Sequence, residues 1–455
     1  MKSFLLLVVA LGVGVDTPLT LPQASAQSPA QQKPNTDAAA DAKDGAASSE
    51  AQTLYEEADA YARLKFDEFK KNDVPYNEQL ERKTFQEQKD LALRHATRLA
   101  ARGPLRGSDL YYAARLYALA GKSEAALDSL RHFLSETPEV SGASQALRQK
   151  ALALAVEQAA KLSLHVEAER FLAEFLAHEP RAANDAHRLN YLVAALHAKR
   201  KDFARAATFA RTAYAAALEV ARDRQLDARR RDAVIYGAGE FLADTLLGAN
   251  RRAEALAVMQ EMRALSFSLP SARLYRDATI KLLDNGEPLD APALSNLEAA
   301  PTAAPEIKID EWIDQPRVAL SELRGQVVLL DFWATWCGPC RYTIPKLNAL
   351  HGKYKDRGLV IIGMTNYFGG RGEAREMGHA EELQFLRQFK RQNRIAYGFA
   401  IADHEENDYR YGIVSIPTAF LIDRRGRVRF ITVGASDIET RALASMVEKL
   451  IQEKP

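Results

Sequence analysis

Near residue 286 the chain changes its periodicity, so one part must be built from helices alone and the other from strands and helices together. Over 51–285, long stretches rich in Ala, Leu and Arg carry apolar residues at helical spacing, with few Pro or Gly residues to interrupt them. A Pro- and Ala-rich segment follows over 286–306, with Pro288, Pro292, Pro301 and Pro305, and its composition predicts an extended, semi-rigid linker. Over 307–455 the pattern is mixed: 327–332, 359–364, 418–423 and 428–433 are short apolar runs of the buried-strand kind, with helical segments between them. The expected fold class is therefore multidomain, an all-α domain followed by an α/β domain. A length of 455 residues at 47% apolar content agrees with more than one core.

The N-terminus begins Met1-Lys2, runs through an apolar stretch over 4–15 and reaches Ala24-Ser25-Ala26, a small-x-small cleavage pattern. This predicts a signal peptide over 1–26, cut before Gln27, and a mature protein that is soluble outside the cytoplasm, in a periplasm or equivalent space. The apolar run has 12 residues, short of the roughly 20 a membrane-spanning helix needs. An uncleaved N-terminal anchor is the alternative. Residues 27–50 contain no Leu, Ile, Val, Met or aromatic residue, and are expected to form a disordered leader. Lys plus Arg (61) and Asp plus Glu (60) balance to +1, which gives no electrostatic reason to expect nucleic acid as a partner.

Within the helical part, Tyr117, Gly121, Ala126, Leu130, Phe133 and Pro138 fall at spacings that resemble the tetratricopeptide repeat. Weaker copies place Ala168 with Pro180, Asp202 and Phe203 with Ala206, and Asn250 with Ala255. The four alanines lie 42, 38 and 49 residues apart, longer and less even than the repeat of about 34. Small residues let two helices approach, and each pair needs a neighbour to cover its apolar face. The resemblance implies a protein or peptide partner on these helices. An irregular helical bundle is the alternative.

Only two cysteines occur, Cys337 and Cys340, so no second pair exists for a disulfide framework. They follow the apolar run 327–332 directly and stand where a helix begins. A cysteine at a helix N-terminus meets unpaired N–H groups and the positive end of the helix dipole, which favour the thiolate. Cys337 is the expected nucleophile. Cys340, one turn on, lies on the same face and is placed to attack a mixed disulfide formed at Cys337. A zinc site would need further ligands, and none of the nine histidines forms a paired short-spacing motif. A purely structural disulfide would close too short a loop to contribute much. Asp331, on an apolar strand six residues before Cys337, is expected to be buried with a raised pKa and to take the proton from Cys340 as it attacks.

The run Trp333-Ala334-Thr335-Trp336-Cys337-Gly338-Pro339-Cys340, together with Val414-Ser415-Ile416-Pro417-Thr418, resembles the thioredoxin superfamily. In particular it is similar to the exported TlpA/ResA-like thiol–disulfide oxidoreductases, over roughly 307–451. The resemblance implies a cis Ile416–Pro417 bond beside the disulfide. It also makes Trp336, Gly338, Pro339, Ile416 and Pro417 substrate contacts, with Pro345 as the proline that kinks the active-site helix. It implies a helical insertion near 381–392. The Gly-rich segment 368–372 lacks a phosphate-loop pattern and is expected to be a flexible surface loop, with Tyr367 and His379 nearby.

Gly338-Pro339 resembles the dipeptide of reducing thioredoxins, which favours a reductase of protein disulfides fed by an unidentified electron donor; a membrane-bound donor, as in exported relatives, is one candidate. Ala334 stands where a peroxiredoxin would carry Thr or Ser, which disfavours a peroxidase. No metal or organic cofactor is expected beyond the redox-active disulfide itself. The alternatives are a disulfide oxidase, or a helical scaffold in which the α/β domain serves only for docking.

Overall fold

The computed structural model describes residues 49–136, 142–223, 226–287, 303–371, 376–403 and 405–453. The expected signal peptide, most of the leader and linker, Pro138 and Gly372 lie outside these residues.

Eleven helices come first: α1 (Glu50–Lys71), α2 (Glu78–Ala100), α3 (Ser108–Leu119), α4 (Ser123–Ser135), α5 (Gly142–Lys161), α6 (His165–Ala177), α7 (Ala183–Lys199), α8 (Phe203–Val220), α9 (Ala228–Gly248), α10 (Arg252–Ser268) and α11 (Ala272–Asp284). Local chemistry sets several of their starts. The side chains of Asn77, Asp202, Asp227 and Ser271 each accept a backbone N–H at a helix N-terminus. Each helix packs mainly on its neighbours in sequence, as stacked hairpins do.

Four hairpins, α3/α4, α5/α6, α7/α8 and α9/α10, share one turn geometry. Gly121, Ser163, Lys201 and Asn250 all take a left-handed conformation, with φ of 74°, 58°, 63° and 58°. The following N–H, at Lys122, Leu164, Asp202 or Arg251, donates to the carbonyl five residues back, at Tyr117, Ala159, His197 or Leu246. That is the bond of a Schellman turn. Five residues after each left-handed position stand Ala126, Ala168, Ala206 and Ala255, all fully buried. The alanine register read from the sequence is thus the register of the turns.

The second part contains β1 (Glu311–Ile313), β2 (Val327–Phe332), α12 (Gly338–Tyr354), β3 (Leu359–Asn366), α13 (His379–Gln392), β4 (Gly398–Ala402), α14 (Glu406–Arg410), β5 (Thr418–Ile422), β6 (Val428–Val433) and α15 (Asp437–Gln452). The strands form one sheet in the order β1-β4-β3-β2-β5-β6. β2, β3 and β4 are parallel neighbours, β5 and β6 return antiparallel, and β1 closes the other edge antiparallel to β4. β1, β4 and α14 are additions to what the sequence pattern predicts.

Alternation along β2 assigns the two faces. Val327 and Leu329 share a core with Leu347 of α12, Leu386 of α13 and Val447 of α15. Val328, Leu330 and Phe332 point the other way, into a core completed by Tyr411, by Phe267 of α10, and by Ala272 and Tyr275 of α11. The last helices of the array therefore form a covering layer of the sheet, and the chain from Glu50 onward makes one compact unit. Among the described residues, no helix is long and apolar enough to cross a membrane.

Candidate active site around Cys337 and Cys340

β2 ends at Phe332, and a short crossing brings the chain to Cys337, the N-cap of α12. Its Sγ accepts the backbone N–H of Cys340 at 3.2 Å. The two cysteines form a disulfide with Cα atoms 5.3 Å apart. Cys337 is 5% exposed and Cys340 1%, so an approaching group meets Cys337 first. Gly338 and Pro339 are exposed, and nothing lies within 4 Å of where a Gly338 Cβ would stand. The turn is braced from behind, where Arg341 Nε donates to the Thr335 carbonyl at 2.8 Å and Thr343 donates to the Cys340 carbonyl at 2.8 Å. Pro345 lies inside α12 as expected.

Asp331 lies on the α12 face of β2 and is buried. Burial alone pushes its carboxyl up to about 7. It shares with Thr343, Leu347, Pro417, Thr432 and Leu443 a small cavity of about 20 Å³, room for about one water molecule. The expected burial and raised pKa are both present.

The Ile416–Pro417 bond is cis. Pro417 is buried, and its carbonyl accepts the Gly434 N–H at 2.9 Å. Ile416 packs against the cluster that holds both cysteines, while Val414 and Ser415 are exposed. Among the described residues no backbone hydrogen bond occupies the Ile416 N–H or carbonyl.

A cleft of about 250 Å³ opens between this loop and Trp336. The Phe368 ring meets Trp336 edge-on at 5.5 Å, and the Arg371 guanidinium lies 4.4 Å over the Trp336 ring. On the far wall Asn366 donates to Asp408 at 2.7 Å, and burial pushes the Asp408 carboxyl up to about 6. The expectation of a flexible 368–372 loop needs correction over its described part. The buried carboxylate of Glu382 accepts the N–H groups of Phe368 and Gly369, both at 2.9 Å, and the Met377 N–H donates to the Gly369 carbonyl. Tyr367 and His379 stack on each other at 4.4 Å, and His379 pairs with Asp403 at 3.0 Å. They brace the insertion and do not line the cleft.

Sequence reasoning passed over Asp408, Asn366, Arg371 and Glu382. Their partners are backbone groups or residues far away in the chain, and no local motif announces them. Among the described residues, no group of three or more His, Cys, Asp or Glu side chains is arranged to hold a metal.

A model of the AhpC/TSA family matches residues 301–431. The thiol-disulfide oxidoreductase ResA of Bacillus thuringiensis subsp. konkukian is 32% identical over 117 residues, covering 26% of this chain and 60% of that protein. The thioredoxin-like protein YneN of Bacillus subtilis is 26% identical over 132 residues, covering 29% of this chain and 69% of the relative. A solved thiol:disulfide interchange protein of the thioredoxin family from Chlorobium tepidum is 25% identical, with 33% of this chain and 97% of that one covered and a TM-score of 0.27. The chain thus spans about 60% of the length of the ResA protein it matches. With the paired cysteines at the start of α12 and the cis proline before β5, the C-terminal part of this chain is similar to the AhpC/TSA family and to thioredoxin-like thiol-disulfide oxidoreductases.

Proposed function

We propose that the protein is an exported reductase of protein disulfides, working by dithiol–disulfide exchange at Cys337 and Cys340. The observation that carries this reading is the placement of the cysteine pair at the N-terminus of α12, in one cluster with Ile416 of the cis-proline loop. In the reduced protein, the Cys337 thiolate attacks one sulfur of a substrate disulfide; a Cys337–substrate bond forms and the other substrate sulfur leaves as a thiolate. Cys340 then gives its proton to Asp331 and attacks the Cys337 sulfur. The mixed disulfide breaks, the Cys337–Cys340 bond forms, and the second substrate sulfur departs. Two electrons pass to the substrate. A dithiol of an electron-donor protein restores the pair, and in an exported protein that donor belongs in or at the membrane.

Trp336, Gly338 and Pro339 frame the attacking sulfur, and the free backbone of Ile416 suits an extended substrate segment pairing beside Pro417. Export rests on the signal-like pattern ending at Ala26. The repeated hairpins support a tetratricopeptide-like array that binds a protein or peptide partner. A peroxidase is disfavoured because Ala334 offers no hydroxyl three residues before Cys337.

The test uses the purified mature protein with insulin as a protein disulfide and dithiothreitol as donor. Accelerated insulin reduction that Cys337→Ser abolishes supports the reading. Wild-type protein that leaves the rate unchanged, with its disulfide reducible, rejects it.

A further inference from the structure

The loop that leads into Pro417 is held by the helical array as well as by its own domain. At the start of α11 the N–H groups of Ala272 and Arg273 donate to the carbonyls of Tyr411 and Gly412, each at 2.9 Å. These are the otherwise unpaired first N–H groups of a helix, and here they close on a neighbouring loop. Behind them Ser271 is fully buried and donates its hydroxyl to the fully buried Asp232 of α9 at 2.5 Å, while accepting the Leu274 N–H at 3.1 Å. Arg231 holds the other Asp232 oxygen at 2.9 Å and the Leu269 carbonyl at 2.9 Å.

The fit is tight. Gly412 has φ of +57°, and a Cβ there would stand 2.6 Å from Ser271 Oγ and 2.9 Å from Asp232 Oδ2. Only glycine meets both the conformation and the space. At the rim, the Arg229 guanidinium lies 3.9 Å over the Tyr409 ring and 3.7 Å from Glu405. On the inner side, the Tyr411 ring packs against Phe332 at the end of β2 and Phe420 in the middle of β5.

Four residues separate Gly412 from Pro417, and these, Ile413, Val414, Ser415 and Ile416, form one wall of the cleft beside Trp336. We propose that Ser271 and Asp232 are positioning residues for disulfide exchange: through the α11 N-terminus they clamp the 411–412 segment and so fix the substrate-binding loop before Pro417. The helical array is then part of the reductase site's framework. It sets how a protein disulfide is presented to Cys337, whatever else it binds. The proposal rests on the reductase reading above.

The test compares full-length wild type, Ser271→Ala and Arg229→Ala on insulin and on hydroxyethyl disulfide, which is too small to pair along the loop. Amide hydrogen exchange over 411–418 and thermal melting are measured in parallel. The proposal expects the KM for insulin to rise about fivefold in Ser271→Ala and less in Arg229→Ala, with the rate on hydroxyethyl disulfide unchanged. Exchange over 411–418 should rise, and Ser271→Thr should restore the insulin KM. Equal loss on both substrates, or an unchanged insulin KM in folded variants, overturns it. Should Ser271→Ala not fold, the exposed Arg229→Ala variant decides by the same criteria. Wild type inactive on both substrates would instead reject the reductase reading itself.

Discussion

The Sγ of Cys337 accepts the backbone N–H of Cys340 at 3.2 Å, so the residue expected to attack a substrate is also the cap of its own helix. A backbone N–H at a helix N-terminus favours a thiolate over a thiol. The buried Cys340 has no comparable access to a substrate. Cys340→Ser should therefore accumulate a covalent Cys337–insulin adduct, visible on a non-reducing gel and lost with thiol. Cys337→Ser should form none. Adducts trapped through Cys340 instead would reverse the assigned roles.

Asp331 makes a prediction in pH. Its carboxyl rises from an ordinary 3.8 to about 7 in the fold because burial penalises the charge. Between those values the folded chain keeps a proton that the unfolded chain has released, so its contribution lowers stability as pH rises through that window. Asp331→Asn should be more stable than wild type at pH 8, on the order of 4 kcal/mol, with the gain fading toward pH 4. Resolution of the mixed disulfide should move oppositely. In wild type it accelerates as pH rises through about 7, while Asp331→Asn is slowed about a hundredfold at pH 8 and loses that limb. Stopped-flow quenching of the adduct measures both.

Glu382 ties the loop beside Trp336 to α13 through two backbone N–H groups. Glu382→Ala leaves both N–H groups without their acceptor and should cost about 2–4 kcal/mol, read from urea unfolding. Faster amide exchange at Phe368 and Gly369 should accompany it. An unchanged exchange pattern would mean that the loop is held by other contacts.

The hairpin turns offer a gain in stability. Ser163 and Lys201 occupy the left-handed position that Gly121 fills in the α3/α4 hairpin, and a side chain there costs about 1–2 kcal/mol. Ser163→Gly and Lys201→Gly should each raise stability by about 0.5–1 kcal/mol, net of glycine's greater freedom in the unfolded chain. Thermal melting checks this, and a lowered Tm in both would count against a shared turn.

What the sequence made legible follows from how local each signal is. β2, β3, β5 and β6 are mostly apolar runs, and the boundaries read for β2 and β6 match the structure. β1 has three residues, too few to register, whereas β4 is as long as β5 and sequence reasoning passes over it. The four alanines revealed the hairpins because a small residue at a helix contact is a local requirement. Asp232 shows the opposite case. It ends an Arg-rich stretch that looks like a solvated helix face, yet it is fully buried, because Ser271 and Gly412 close over it from 39 and 180 residues away. The covering of Val328, Leu330 and Phe332 by Phe267 and Tyr275 is likewise invisible in either segment alone.

Under the proposed function, Cys337 and Cys340 cycle as a reducing dithiol. The most direct measurement is a redox titration of the purified protein against glutathione, with the pair read by thiol labelling. A midpoint near the thioredoxin value of about −270 mV is the result expected. A midpoint near about −120 mV would mark a disulfide donor, and a pair that never exchanges would contradict the account outright.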